Sequence, residues 1–144
     1  MRIKSERGAA LLEAAITLPM LLLVAVGIFE FGRAYQTWQI LTNAAREGAR
    51  IAVLPDSTSG DITSRVQQYM RDGQLGAVNS ASIGVNRSAV LDVNGRSVSA
   101  SDVSIDYPFS FIVLQPVARL VAPTTSLGGA IVMRAEAVMR NETQ

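Results

Sequence analysis

From Ala9 to Phe29 the chain reads AALLEAAITLPMLLLVAVGIF. As a helix rising ~1.5 Å per residue, this run is about 30 Å long, the thickness of a bilayer's hydrocarbon core. No compact domain within a chain of 144 residues readily hides such a segment, so it is expected to cross a membrane. The 49% apolar content likewise points to a lipid-embedded segment. No other stretch reaches spanning length. Phe111 to Leu114 is apolar but short, and Pro116 and Arg119 soon interrupt it. The chain is therefore expected to cross once.

Charge gives the direction of crossing. Arg2, Lys4 and Arg7 crowd the first eight residues against Glu6 alone. From Ala9 onward ten Arg face eleven Asp and Glu, so the remainder is nearly neutral. Positive charge is retained in the cytoplasm, which sends the C-terminal part outward. A net charge of +1 with no basic face argues against nucleic acid as a partner. The absence of Cys and His excludes disulfides, thiol nucleophiles, Ser-His-Asp triads and nearly all zinc or haem sites. No metal, cofactor, small-molecule substrate or enzymatic activity is expected. Asp102, Asp106 and Glu136 are the best candidates for paired carboxylates, and on strands they are expected to face solvent.

Two residues do not suit a plain anchor. Glu13 places an ionisable group inside the span, at a cost of a few kcal/mol at the bilayer centre and somewhat less near its end. Pro19 deletes a backbone hydrogen bond and crowds the carbonyl of Ala15, so the helix is expected to kink or loosen near Ala15–Thr17. Three readings account for this segment. It is an anchor that tolerates one acid; or a secretory signal cut after Ala25-Val26-Gly27, leaving a chain that begins at Ile28; or a prepilin leader followed by an assembly helix. The apolar run is long for the second reading, and the sequence after it continues as helix.

Arg7-Gly8-Ala9-Ala10-Leu11-Leu12-Glu13 resembles a type IV prepilin peptidase site: a basic leader, a Gly before the cut, and a Glu as fifth residue of the mature chain. Leu18-Pro19, the block Gly27-Ile28-Phe29-Glu30-Phe31-Gly32-Arg33 and the block Thr42-Asn43-Ala44-Ala45-Arg46-Glu47-Gly48-Ala49-Arg50 resemble the TadE-like family of Flp/Tad pilus proteins. The closing Val138-Met139-Arg140-Asn141-Glu142 is similar to the end of that family. The resemblance is dense from Gly8 to Val53 and thin from Pro55 to about Gly129. It implies processing at Gly8, Ala9 and Glu13, and an assembly role for Glu13 and Pro19. It also raises the prospect of subunit contact through Arg46, Glu47 and Arg50, which as plain residues form a solvated charged face. The partners it implies are a prepilin peptidase, other pilin or pseudopilin subunits, the assembly platform and the lipid bilayer. Physical chemistry fits these roles. Gly8 leaves room for close approach to the backbone. Cleavage would put an ammonium on Ala9, one helical turn from Glu13, and each charge would offset the other's cost in lipid.

Beyond the span, Ala34, Trp38, Leu41, Ala45, Gly48 and Ala52 recur at three- and four-residue steps, and Gln36, Gln39, Asn43, Arg46 and Arg50 form a stripe about 200° away. The helix is expected to run unbroken to about Val53, roughly 65 Å from Ala9, and to stop before Pro55. Tyr35 and Trp38 fall where an interfacial aromatic belt belongs. Glu30 is expected at the outer interface, reaching water, with Arg33 as its i+3 neighbour. Ser57-Thr58-Ser59-Gly60 reads as a loop. A helix to about Asp72, capped by Ser59 or Asp61, would set Ile62, Val66 and Tyr69 or Met70 on one face and end at Gly73. Ala81 to Val85 is a weak strand. Asn94-Gly95 signals a turn between Ala89–Val93 and Arg96–Ser99, runs that look short for a hairpin. Val103–Tyr107 and Gly129–Met139 are expected strands, and Leu114 to Leu120 a short helix.

These expectations define an α+β, pilin-like plan: a long N-terminal transmembrane helix continuing outward and packing on a small antiparallel sheet with one or two short helices. Its parts are a leader over 1–8, a span over 9–31, an amphipathic extension over 32–54 and an extracytoplasmic domain over 55–144. The resemblance implies a minor pilin or pseudopilin in a bacterial inner membrane, acting in pilus assembly or priming and thereby in surface adhesion. The alternatives are a type II secretion-like pseudopilin and an anchored extracytoplasmic binding module that never polymerises.

Overall fold

The computed structural model describes residues 3–116 and 129–141, with side chains from Gly8 onward. Helix α1 runs Ile3–Ala52 without interruption. Helix α2 follows at Ser59–Asp72, then a 3-10 turn at Val78–Ser80, and strands β1 (Ser82–Val93), β2 (Arg96–Phe109) and β3 (Ile131–Arg140). The strands form one antiparallel sheet in the order β1-β2-β3. The α+β plan read from the sequence is the plan observed. The chain divides into two compact units. One comprises α1 up to Arg33 and the segment from Phe111; the other comprises Ala34–Ser110 and the chain from Ala130.

In the first unit no residue of α1 from Gly8 to Phe29 is buried, and all but Val26 and Gly27 are exposed. Leu11, Ile16, Met20, Leu21 and Ile28 are each about two-thirds exposed or more. Among the described helices this is the one long and apolar enough to cross a membrane. Pro19 lies within the helix, which continues through it. One turn earlier the Thr17 hydroxyl donates to the Glu13 carbonyl at 2.9 Å.

In the second unit the core lies between the helices and one face of the sheet. Leu41, Ala44, Ala45, Ala49 and Ala52 of α1 are buried. So are Ile62, Val66 and Met70 of α2, which repeat at four-residue steps. The sheet contributes Val103, Ile105, Tyr107 and Phe109 of β2 and Ala135 of β3. Burying each large member of this set stabilises the fold by about 1.5–3 kcal/mol. Small residues on α1 set the spacing. A Cβ at Gly48 would lie 2.5 Å from Val66 Cγ2 and 3.1 Å from Val103 Cγ1, so hydrogen there is what admits both neighbours. Trp38, expected on this buried stripe, is 45% exposed, and its neighbour Thr37 is buried instead. Trp38 packs its ring near Tyr35, with centroids 6.3 Å apart.

Helix α2 is capped by Thr58, not by Ser59 or Asp61. The Thr58 hydroxyl accepts the Asp61 N–H, and the Asp61 carboxylate accepts the Thr58 N–H, a reciprocal capping box. Ser57 to Gly60 is thus the entry to a helix and not a plain loop. The Thr58 hydrogen bonds hold the Asp61 carboxyl below its ordinary range.

The short runs expected around Asn94-Gly95 are pieces of a long hairpin. Strand β1 takes in Ser82–Val85 and Ala89–Val93, leaving Ala81 outside it, and β2 takes in both Arg96–Ser99 and Val103–Tyr107. What joins the pieces of β1 is a bulge: Arg87 and Ser88 together oppose Ser101, between the pairs Asn86↔Asp102 and Ala89↔Ala100. Exposure along β1 still alternates without a break from Ser82 to Asp92, and the irregularity shows on β2, where Ala100 and Ser101 are both buried. Asn94 (φ 57°) and Gly95 (φ 77°) make the turn in the left-handed region. Of the helix expected over Leu114–Leu120, Leu114, Gln115 and Pro116 are helical and the remainder lies outside the described residues.

Candidate functional site

Gly8 and Ala9 lie in the exposed start of α1. A Cβ at Gly8 would meet nothing within 4 Å, so no packing in the described structure requires glycine there. Glu13 is exposed, one turn further along the same helix. Its backbone carbonyl accepts from Thr17, and among the described residues its carboxylate has no hydrogen-bond or ion-pair partner. The structure therefore sets Gly8, Ala9, Glu13 and Pro19 along one apolar helix.

Glu30 departs from expectation. It does not reach water: its residue is 1% exposed. One carboxylate oxygen, Oε2, accepts from Arg33 Nη2 at 3.1 Å. The other, Oε1, accepts the backbone N–H of Val113 at 2.5 Å and that of Leu114 at 3.4 Å. The physical reason is satisfaction of both sides. A carboxylate at the end of an apolar run is costly without partners, and Val113 and Leu114 present N–H groups at the start of a helical turn, where no backbone acceptor is available. The result is a charge-assisted clamp between α1 and the Phe111–Pro116 segment.

Glu47 and Arg50, expected on a solvated or subunit-facing surface, meet within the domain. Arg50 Nη2 lies 2.8 Å from Glu47 Oε1, and Arg65 Nη2 of α2 reaches the same oxygen at 3.0 Å. Hydrogen bonds from Arg50 and then Arg65 outweigh the effect of burial and hold the Glu47 carboxyl down at about 2. Arg46 points elsewhere; it is exposed and has no partner among the described residues. Between α1 and α2 runs an open cleft of about 660 Å³ lined by Gln36, Gln39, Asn43, Arg65, Tyr69 and Asp72. Part of the polar stripe of α1 faces this cleft.

A third polar constellation sits at the bulge. The Asn141 amide donates to the Ser99 hydroxyl at 2.7 Å and to the Arg87 carbonyl at 3.4 Å. Its Oδ1 lies 2.7 Å from the buried Ser101 hydroxyl, which also stands 3.2 Å from the Ala52 carbonyl at the end of α1. Arg87 in turn donates to the carbonyls of Ser57 and Leu54. Asn141 thus joins β3, both strands of the hairpin and, through Ser101, the C-terminus of α1. Sequence reading missed this clasp and the Glu30 clamp because both join residues far apart in the chain.

The carboxylates Asp102, Asp106 and Glu136 share the sheet face opposite the core. Register sets Glu136 against Ser104 and Asp106 against Arg134. Glu136 pairs with Arg134 at 3.5 Å. Asp102 is partly buried, and one of its oxygens is buried with no hydrogen-bond partner among the described residues. Burial pushes its carboxyl up from the ordinary value, and nearby Glu136 pushes it further.

Among the described residues, one helix of spanning length and composition is joined to a small α+β domain, the plan of a single-pass membrane protein. Residues 8–50 match the family model described as TadE-like protein, and this segment of the chain is accordingly similar to Tad pilus-associated proteins. The matched residues contain Gly8, Glu13, Glu30, Arg33, Glu47 and Gly48. No curated protein and no solved structure matches the chain.

Proposed function

We propose that this chain is a minor pilin or pseudopilin of an Flp/Tad-type pilus. A prepilin peptidase cuts it between Gly8 and Ala9. The mature subunit sits in the bacterial inner membrane with its N-terminus at the cytoplasmic side and its α+β domain outside. It acts with other pilin subunits and the assembly platform in building or priming the filament, and through the filament in surface adhesion. Its role is structural and not enzymatic.

The observation that carries this reading is Glu13. It stands exposed on an apolar helix, in the matched segment, with no partner for its carboxylate among the described residues. An inert anchor has no reason to tolerate that cost. A new ammonium on Ala9, in the same chain or a neighbouring one, would neutralise it.

The test is piliation in cells whose only copy carries Glu13→Leu. The variant span is more apolar, so the protein remains in the membrane and is still processed. Few or no filaments are expected, with loss of co-purification with other pilus components. Wild-type filament numbers would instead support an anchored binding module whose function lies beyond Pro55.

A further inference from the structure

We propose that Phe111–Pro116 is an interfacial element seated at the headgroup–hydrocarbon boundary of the outer leaflet, beside the end of the span. This rests on reading α1 as membrane-spanning. Its occupant is lipid, and three observations support that.

The first is depth. A helix begun at Ala9 completes about 30 Å at Phe29, so Glu30 stands at the hydrocarbon edge. The clamp from Glu30 to the Val113 and Leu114 amides holds the segment at that level. The second is composition. The segment reads FIVLQP, and Ile112 is 58% exposed although a backbone amide beside it is tied down. The adjoining helix residues Ile28, Phe29 and Phe31 are 71%, 56% and 72% exposed. The lipid that covers those side chains is continuous with the environment of Ile112. The third is polarity. One Glu30 oxygen accepts from Arg33 and the other from the two amides, so the carboxylate at this level is enclosed and partnered. Apolar side chains are left to face outward, as an interfacial element requires. Tyr35 and Trp38 follow about one and two turns beyond Glu30, in the belt position.

The chain has no cysteine, so single labelling sites can be placed at will. The full-length protein carrying Ile112→Cys is spin-labelled and reconstituted in phosphatidylethanolamine–phosphatidylglycerol nanodiscs. Collision rates with oxygen, which concentrates in lipid, are compared with those of a water-soluble nickel chelate. Leu22→Cys reports the span and Ser97→Cys the exposed hairpin. The oxygen-to-nickel ratio at 112 is expected several-fold above that at 97, approaching that at 22, and to fall toward the value at 97 when Glu30→Ala is added. A ratio at 112 equal to that at 97 overturns the proposal, with 22 still reading as lipid. Low access to both reagents at 112 also overturns it, because protein then covers the segment. An aqueous reading at 22 would remove the span itself, and the proposal with it.

Discussion

Glu47 and Arg65 are eighteen residues apart in the chain and 3.0 Å apart in space, and this contact ties α2 to α1. Arg50 completes the triad from one turn along α1. Because one carboxylate serves two guanidinium groups, Glu47 acts as a hinge pin for the helical layer over the sheet.

The Glu47 carboxyl is lowered from 4.5 to about 2 on folding. A depressed pKa means stability that is fully present above the unfolded value and is lost as pH falls through the folded one. The window is therefore pH 4.5 down to about 2. Arg50 and Arg65 are 62% and 41% exposed, so solvent screens the triad and its worth is about 1 kcal/mol. Glu47→Gln is expected to unfold at lower denaturant at pH 7, with the gap to wild type closing across that window. Denaturant titrations of the detergent-solubilised protein at pH 7, 4.5 and 2.5 check it; a gap independent of pH would contradict it.

Gly48→Ala sets two terms against each other. Helix propensity favours Ala by up to ~1 kcal/mol, and overpacking costs about 1–3 kcal/mol. With Val66 Cγ2 only 2.5 Å from the new methyl, overpacking wins and the variant loses about 1 kcal/mol. In a Val66→Ala background the same substitution should be neutral or stabilising. A double-mutant cycle measures the coupling, and a Gly48→Ala protein as stable as wild type would refute the packing argument.

Asn141→Ala removes an acceptor from the buried Ser101 hydroxyl and a donor from the Arg87 carbonyl. The expected cost is about 1–3 kcal/mol. Amide exchange should quicken first around Arg87 and Ser99, where the bulge loses its tie to β3. Uniform quickening across the sheet would show a general loss of packing instead.

Gly8 has open space around it in the folded chain, so its substitution is expected to leave the domain's stability unchanged. Leader removal should nonetheless slow modestly for Gly8→Ala and severely for Gly8→Val, since access to the backbone is the limit. Intact mass of the native membrane protein locates the cut, and immunoblots follow its rate. A mature chain that begins at Met1, or one that begins at Ile28, would rule the proposed cut out.

Much of this protein was legible in one dimension because its signals are local. The apolar run of α1 encodes a spanning helix by length alone. Alternation from Val103 to Tyr107 and the Asn94-Gly95 pair encode a strand and a turn through backbone preference. The four-residue spacing of Ile62, Val66 and Met70 encodes the buried face of α2. The position of Trp38 was misread because the stripe was drawn from hydrophobicity, whereas the helix buries small residues where its neighbours come closest. At Gly48 a Cβ would already stand 2.5 Å from Val66 Cγ2 and 3.1 Å from Val103 Cγ1, which measures how close that approach is.

Sequence by itself determined the elements and their amphipathic faces: hydrophobic burial and backbone propensity act over a few residues, and each leaves a period that can be read. Only the tertiary structure decided the partners of the polar groups. Glu30 finds the amides of Val113 and Leu114, Glu47 finds Arg65, and Asn141 finds Ser99, Ser101 and the Arg87 carbonyl. A buried carboxylate or amide must be satisfied by some donor or acceptor, but the chain distance to that group carries no period. It is set by where packing and the β1 bulge bring the backbone, and so it emerges only when the helices and the sheet are in place.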